Sequence, residues 1–230
     1  MSRQVVLDTE TTGLSPKDGH RIVEIGCLET INRIPTGKTF HVYINPKRDM
    51  PQGAYDVHGL SIDFLEKHPP FEDIVSDFLS FVQDTPLVIH NVPFDMKFIN
   101  HELQILGHPT IPANRTICTL KMARKKFPGS PASLDALCKR FKVDNTGRQK
   151  HGALIDAELL AKVYIELTGG RQTSMDFGAA ANQSTAQQAP TPQNRTLRAS
   201  RNFRPKQEEL TKHRQLLSGL KNPIWNKFTN

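Results

Sequence analysis

The residues of this chain best suited to chemistry begin with a closely spaced carboxylate pair, Asp8 and Glu10, in the stretch Val5-Val6-Leu7-Asp8-Thr9-Glu10-Thr11-Thr12-Gly13-Leu14. The stretch reads as an apolar strand that runs into two acids and then a turn. Residues i and i+2 of an extended strand share a face, so the two carboxylates stand side by side at the end of a buried strand. Adjacent like charges in such a place call for a cation. Taken alone, an Asp-x-Glu triplet also fits a solvated strand end. Asp95 and Asp156 bear on that choice. Asp95 opens a helical pattern continued by Phe98, Ile99 and Leu106, and Asp156 one continued by Leu160, Val163 and Leu167, so each acid lies on or beside an inward face. A buried carboxylate has to be neutralised, paired or bound to a metal. An N-cap or a salt bridge would satisfy either aspartate singly; the four acids together favour a shared site.

The elements that must position these acids follow from the pattern. Residues 4–7, 21–31 and 39–44 read as three strands at short spacing, an antiparallel meander, and Leu87-Val88-Ile89 as a brief buried strand. Residues 56–60 read as a loop, Ser61 caps a short helix, and residues 70–82 carry apolar side chains at helical spacing. A helix runs from Phe94 to a stop at Gly107 with Pro109 beyond, and residues 116–119 suit a last strand. Residues 120–127 and 133–141 form short helices, and residues 153–167 a longer one ended by Gly169-Gly170. A meander followed by alternating strands and helices predicts an α/β domain with a mixed sheet.

The 230 residues allow one domain with an extension, or two small domains. With no apolar run of membrane-spanning length and no secretory leader, the expectation is a soluble, cytoplasmic protein. Cys27, Cys118 and Cys138 form no Cys-x-x-Cys pair, which argues against a disulfide framework and a zinc site and for three buried free thiols. The net charge of +7 is uneven: residues 1–170 hold 20 Lys+Arg against 20 Asp+Glu, and residues 171–230 hold 10 against 3. Any grip on nucleic acid by the first 170 residues is therefore local rather than a matter of overall charge.

Three segments then agree with a known pattern. Asp8-x-Glu10, Asn91-x-x-Phe94-Asp95 and His151-x-x-x-x-Asp156 resemble, in order and spacing, the three motifs of the DEDD exonucleases, in the subgroup with His in the third motif. Val57-His58-Gly59, Leu87-Val88-Ile89-His90-Asn91, Ser133-Leu134-Asp135-Ala136-Leu137-Cys138 and His151-Gly152-Ala153-Leu154 are similar to the proofreading subunits of bacterial DNA polymerase III. The resemblance implies a ribonuclease H-like fold with a mixed five-stranded sheet over residues 1–170, and hydrolysis of the terminal phosphodiester at a DNA 3′ end. Hard oxygen ligands suit Mg2+ or Mn2+. The family pattern implies two ions, with Asp8 bridging them, Glu10 and Asp156 completing the tighter site and Asp95 holding the second ion. It makes His151 the acceptor of the proton from the attacking water, a task a neutral imidazole can perform near neutral pH.

The same resemblance implies substrate contacts from Asp8, Glu10 and Asp156, and a terminal-nucleotide pocket lined by Thr9, Thr11 and Leu14, with Leu14 as an apolar wedge. His58 would approach the sugar or phosphate, Phe94 would stack on a base or pack in the core, and Gly53 would offer only backbone where relatives carry a polar side chain. After Gly170 the composition shifts. Gln172, Met175 and Phe177 resemble the short motif that binds the sliding clamp. Residues 178–194 have the composition of a flexible linker. Residues 195–230 form a basic tail, expected to be disordered, whose sole tryptophan, Trp225, suits an anchor on a partner. By resemblance that partner is the alpha subunit of the polymerase, and a small accessory subunit on the domain is left open. A solvated tail or a DNA tether fits the same charges. Two other functions compete: a free-standing nuclease trimming RNA or single-stranded DNA, which has no use for such a tail, and a scaffold bridging clamp and polymerase, which needs no intact acids.

Overall fold

The computed structural model describes residues 2–147, 150–169 and 205–220, which fall in two units, 1–175 and 176–230. In the first, five strands form one sheet: β1 (Arg3–Thr11), β2 (Ile22–Ile31), β3 (Ile34–Tyr43), β4 (Leu87–Ile89) and β5 (Thr116–Cys118), in the order β3-β2-β1-β4-β5. β1 is antiparallel to β2 and parallel to β4, β2 is antiparallel to β3, and β4 is parallel to β5. This is the expected ribonuclease H-like mixed sheet. The helices are α1 (Gln52–His58), α2 (Ile62–Leu65), α3 (Phe71–Val82), α4 (Val92–Ile105), α5 (Thr119–Lys126), α6 (Leu134–Phe141) and α7 (Ala153–Leu167).

Alternation along the strands sorts the core into two layers. Val5 and Leu7 of β1, Ile25 and Cys27 of β2, and Leu87 and Ile89 of β4 face α3 and α4. Val6, Leu28 and Val88 face the opposite way, onto α5, α6 and α7. β1 lies at the centre with both faces covered, and Asp8 and Glu10 stand on it. Arg21, just before β2, donates from Nε and Nη2 to both carboxylate oxygens of Glu102 on α4, at 2.7 and 2.6 Å. Glu102 is buried, and this two-pronged pair fixes α4 against the start of β2.

Four local expectations change. β1 does not end at the carboxylate pair but continues to Thr11, because β2 pairs with it across Asp8↔Gly26, Thr9↔Ile25 and Glu10↔Glu24; tertiary pairing overrides the turn signal. β3 begins at Ile34, well before residue 39, since the tight turn at Asn32 and Arg33 (φ 51° and 70°) starts pairing at once, Ile31 opposite Ile34. Part of the expected loop at 56–60 belongs to α1, whose chain reverses at Gly59 with φ 74°. Cys118 is only half-buried, at the sheet edge, whereas Cys27 and Cys138 are buried; all three are free thiols.

In the second unit, α8 (Gln207–Ser218) is helical and buries none of its residues; Leu216 and, just beyond it, Leu220 are exposed. The clamp-motif residues Gln172, Met175 and Phe177, the linker 178–194 and Trp225 lie outside the described residues. Among the described residues no helix is long and apolar enough to cross a membrane.

Candidate active site

Three elements converge at one end of the central strands. Asp8 and Glu10 project from β1 toward α7, on the same face as Val6. Asp95 arrives in the first turn of α4, directly after β4, through a reversal at Asn91, which takes a left-handed conformation (φ 66°, ψ 55°). Asn tolerates that region better than most residues. Asp156 arrives in the first turn of α7. With His151 just upstream, these residues line a cavity of about 670 Å³ whose other wall includes Phe94, Arg124, Ser130, Ser133 and Asp135.

The carboxylates are held as much as buried. Thr9 Oγ1 donates to Asp95 Oδ1 at 2.8 Å, tying β1 to α4 inside the site. Burial nonetheless pushes the Asp95 carboxyl up to about 7, the Thr9 hydrogen bond only partly opposing it. His151 Nδ1 lies 3.2 Å from Asp156 Oδ2. Glu10, His151 and Asp156 offer ligand atoms within 4.8 Å of one another. The donor set fits a hard divalent cation: oxygen-rich, without a thiolate among the described lining residues, and with buried carboxylates whose ionised forms a cation would stabilise. Arg124 is the only Lys or Arg among the described residues lining this cavity.

A second cavity, of about 570 Å³, adjoins the first through Glu10 and Phe94, which line both. It is walled by Thr11, Leu14, Gly53, Val57 and His58. Leu14 is 78% exposed where it borders this cavity. Its carbonyl accepts from Lys97 Nζ at 2.5 Å, and the same ammonium lies 4.9 Å from the Phe94 ring centre. A Cβ on Gly53 would meet nothing within 4 Å, so the glycine leaves the cavity open there. His58 is buried; Nδ1 accepts from the Leu60 N–H at 3.0 Å. Nε2 makes no hydrogen bond of good geometry, and the Thr11 backbone it faces offsets burial only in part, so the imidazole is held below its usual range. Phe94 is half-buried against Phe98, its ring centre 5.4 Å away, and also reaches both cavities.

Thus Asp8, Thr9, Glu10, Asp95, His151 and Asp156 meet in one cavity, and Thr11, Leu14, Gly53 and His58 in the next. Sequence reasoning passed over Gly26. It pairs with Asp8, and a Cβ there would collide with the backbone of Ala153 and Leu154. The bare glycine lets the start of α7 lie directly on β2, which brings Asp156 to the β1 acids. Gly26→Ala is expected to destabilise the domain by about 2–3 kcal/mol and to weaken activity through displacement of Asp156. Urea unfolding checks this; an unchanged midpoint would contradict the close approach. Glu24, opposite Glu10 in the register, was also passed over; it is buried, and its Oε1 lies 2.7 Å from His41 Nε2.

With this geometry in view, the Exonuclease family (RNase_T) matches residues 5–164. The chain is 53% identical over 224 residues to DNA polymerase III subunit epsilon of Rickettsia felis, covering 95% of this chain and 96% of that one. It is 44% identical over 228 residues to the subunit of the same name in Salmonella typhimurium, covering 94% and 93%. Its fold is similar to that of Exonuclease X, solved in complex with 5′ overhanging duplex DNA, at TM-score 0.57 and 27% identity over 72% of this chain and 90% of that one. It is also similar, in fold alone, to the nuclease domain of 3′hExo, a DEDDh family member bound to rAMP, at TM-score 0.63 and 19% identity over 73% and 92%.

Proposed function

We infer the function of this chain from the premise that it belongs to the exonuclease family, and within it to the DNA polymerase III epsilon subunits. It is a 3′ to 5′ exonuclease that proofreads for the bacterial replicative polymerase, and it associates with that complex and with DNA. The observation that best supports this reading is the convergence of Asp8, Glu10, Asp95 and Asp156 on one cavity, beside a second cavity walled by an exposed leucine.

The family works with divalent metal ions. We take the ions to be Mg2+ or Mn2+, two per site, and Asp8, Glu10, Asp95 and Asp156 would hold them. When bound, such ions stabilise the attacking and leaving oxygens of an in-line displacement. The remaining work belongs to the protein. Thr9 orients Asp95 through its hydroxyl. His151, at the open side of the site and 46% exposed at its side chain, accepts the proton of the attacking water. Leu14 wedges against the terminal base, Thr11 and the Gly53 backbone border the nucleotide, and His58 meets its sugar or phosphate. A frayed 3′ end enters such a pocket at lower cost than a paired one.

Gln172, Met175 and Phe177 bind the sliding clamp, and the tail anchors on the polymerase alpha subunit through Trp225, with the exposed leucines around α8 available to the same surface. Deleting residues 178–230 is expected to abolish co-purification with the polymerase subunit while leaving hydrolysis of single-stranded DNA within about twofold, since every site residue lies upstream. Retained association would contradict the tail assignment. The proofreading reading itself is tested by the rate of terminal excision from mispaired DNA, paired DNA and RNA. Mispaired DNA is expected to be fastest; a preference for RNA ends would favour a trimming nuclease.

A further inference from the structure

We propose that Lys150 and Tyr55 form a latch that positions His151, tying its placement to the helix that walls the nucleotide cavity. The inference rests on the exonuclease reading and adds to it a link between occupancy of one cavity and geometry in the other.

Three contacts join the residues leading into α7 to the C-terminal end of α1. The His151 N–H donates to the Val57 carbonyl at 3.2 Å. The Lys150 ammonium lies 5.0 Å from the centre of the Tyr55 ring, within range of a cation–π contact. The Lys150 stem lies against Gly59, where a Cβ would collide with its Cδ. Gly59 has φ 74°, a conformation glycine adopts without penalty, so one residue both ends α1 and makes room for the lysine. The position suits a cation, because the carbonyls at a helix C-terminus carry partial negative charge and lack partners within the helix. The Val57 carbonyl finds one in the His151 N–H.

The same helix faces the other way onto the nucleotide cavity, through Gly53, Ala54, Val57 and His58. Its N-terminus at Pro51 has no side-chain cap and its first turn has no acid, so its position depends on what packs against it. Val57 is therefore shared: it lines the cavity, and its carbonyl holds the backbone of His151. On its other side His151 reaches Asp156 on α7. A nucleotide seated against Val57 and His58 presses on α1, and the latch carries that pressure to His151. Lys150 and Tyr55 are positioning residues; neither lines the cavity of the four acids.

The test is single-turnover excision by the full chain from 3′-labelled single-stranded DNA with Mg2+. Lys150→Ala and Tyr55→Ala are each expected to lower the maximal rate about five- to tenfold, with little change in the DNA concentration at half-saturation. Lys150→Arg and Tyr55→Phe, which keep the cation and the ring, restore it. The double alanine variant is no slower than either single one, and Lys150→Ala has no effect in a His151→Ala background. A raised half-saturating DNA concentration at unchanged maximal rate, or a loss that persists without His151, would show instead that Lys150 grips a phosphate, and would overturn the latch. So would an active wild type with Lys150→Ala unchanged. A wild type inert on 3′ ends would overturn the exonuclease reading as well.

Discussion

Replacing Asp8 with asparagine is expected to lower excision by about 1,000-fold or more, a loss of about 4 kcal/mol of transition-state stabilisation, while leaving the chain folded. The side chains are nearly isosteric, and Asp8 is only half-buried at the centre of a strand whose pairing does not depend on its charge. What disappears is a negative charge from the group of acids that would hold the metal. The variant makes a second, opposite forecast for stability. Glu10, Asp95 and Asp156 are buried close by, so without divalent cations one charge fewer leaves the melting temperature unchanged or higher, the usual trade between a catalytic cluster and stability. Added Mn2+ should raise the wild-type melting temperature by preferential binding to the folded state and raise that of Asp8→Asn much less. Thermal melts with and without Mn2+, beside excision rates, test both halves. Full activity in Asp8→Asn would remove it from the metal site.

His151→Ala is expected to lower the maximal rate by about 100- to 10,000-fold, the range for loss of a general base, with little effect on stability because the side chain is half exposed. The structure makes the accompanying metal experiment informative. Glu10, His151 and Asp156 stand at ligand spacing, so His151 is placed where it could serve as a ligand as well as a base. If it is the base, His151→Ala keeps the Mn2+-dependent rise in melting temperature while losing rate. If it is a ligand, the rise shrinks as it does for Asp8→Asn. The first pattern is expected.

The acids themselves were legible because each leaves a periodic trace. Asp8 and Glu10 sit at i and i+2 behind Val5-Val6-Leu7, and Asp156 heads the stripe of Leu160, Val163 and Leu167, all buried in the fold. The α/β class with a mixed sheet was legible for a related reason, since β4 is a short apolar run and α7 carries an apolar stripe at helical spacing. What escaped depends on distant partners. The length of β1 is set by its pairing with β2, not by the turn residues that follow Glu10. α1 has a glycine at its second position and no side-chain cap, so local propensity alone gives it little support. Gly26 reads as an ordinary weak point in a strand until the backbone of α7 is seen against it. Lys97 reads as a surface charge until its ammonium is found on the Leu14 carbonyl. In each case the missing information is a contact across the sheet or between layers, which a period of 2 or 3.6 residues cannot contain.

The claim at the centre of the account is that four carboxylates from β1, α4 and α7 form one metal-dependent centre acting on a 3′ end. Its most direct test is product release from single-stranded DNA blocked at one end or the other, in Mg2+. The account predicts mononucleotides from DNA with a free 3′ end, none from DNA blocked there, and none after chelation of the metal. Release that survives a blocked 3′ end, or that persists in chelator, would contradict it.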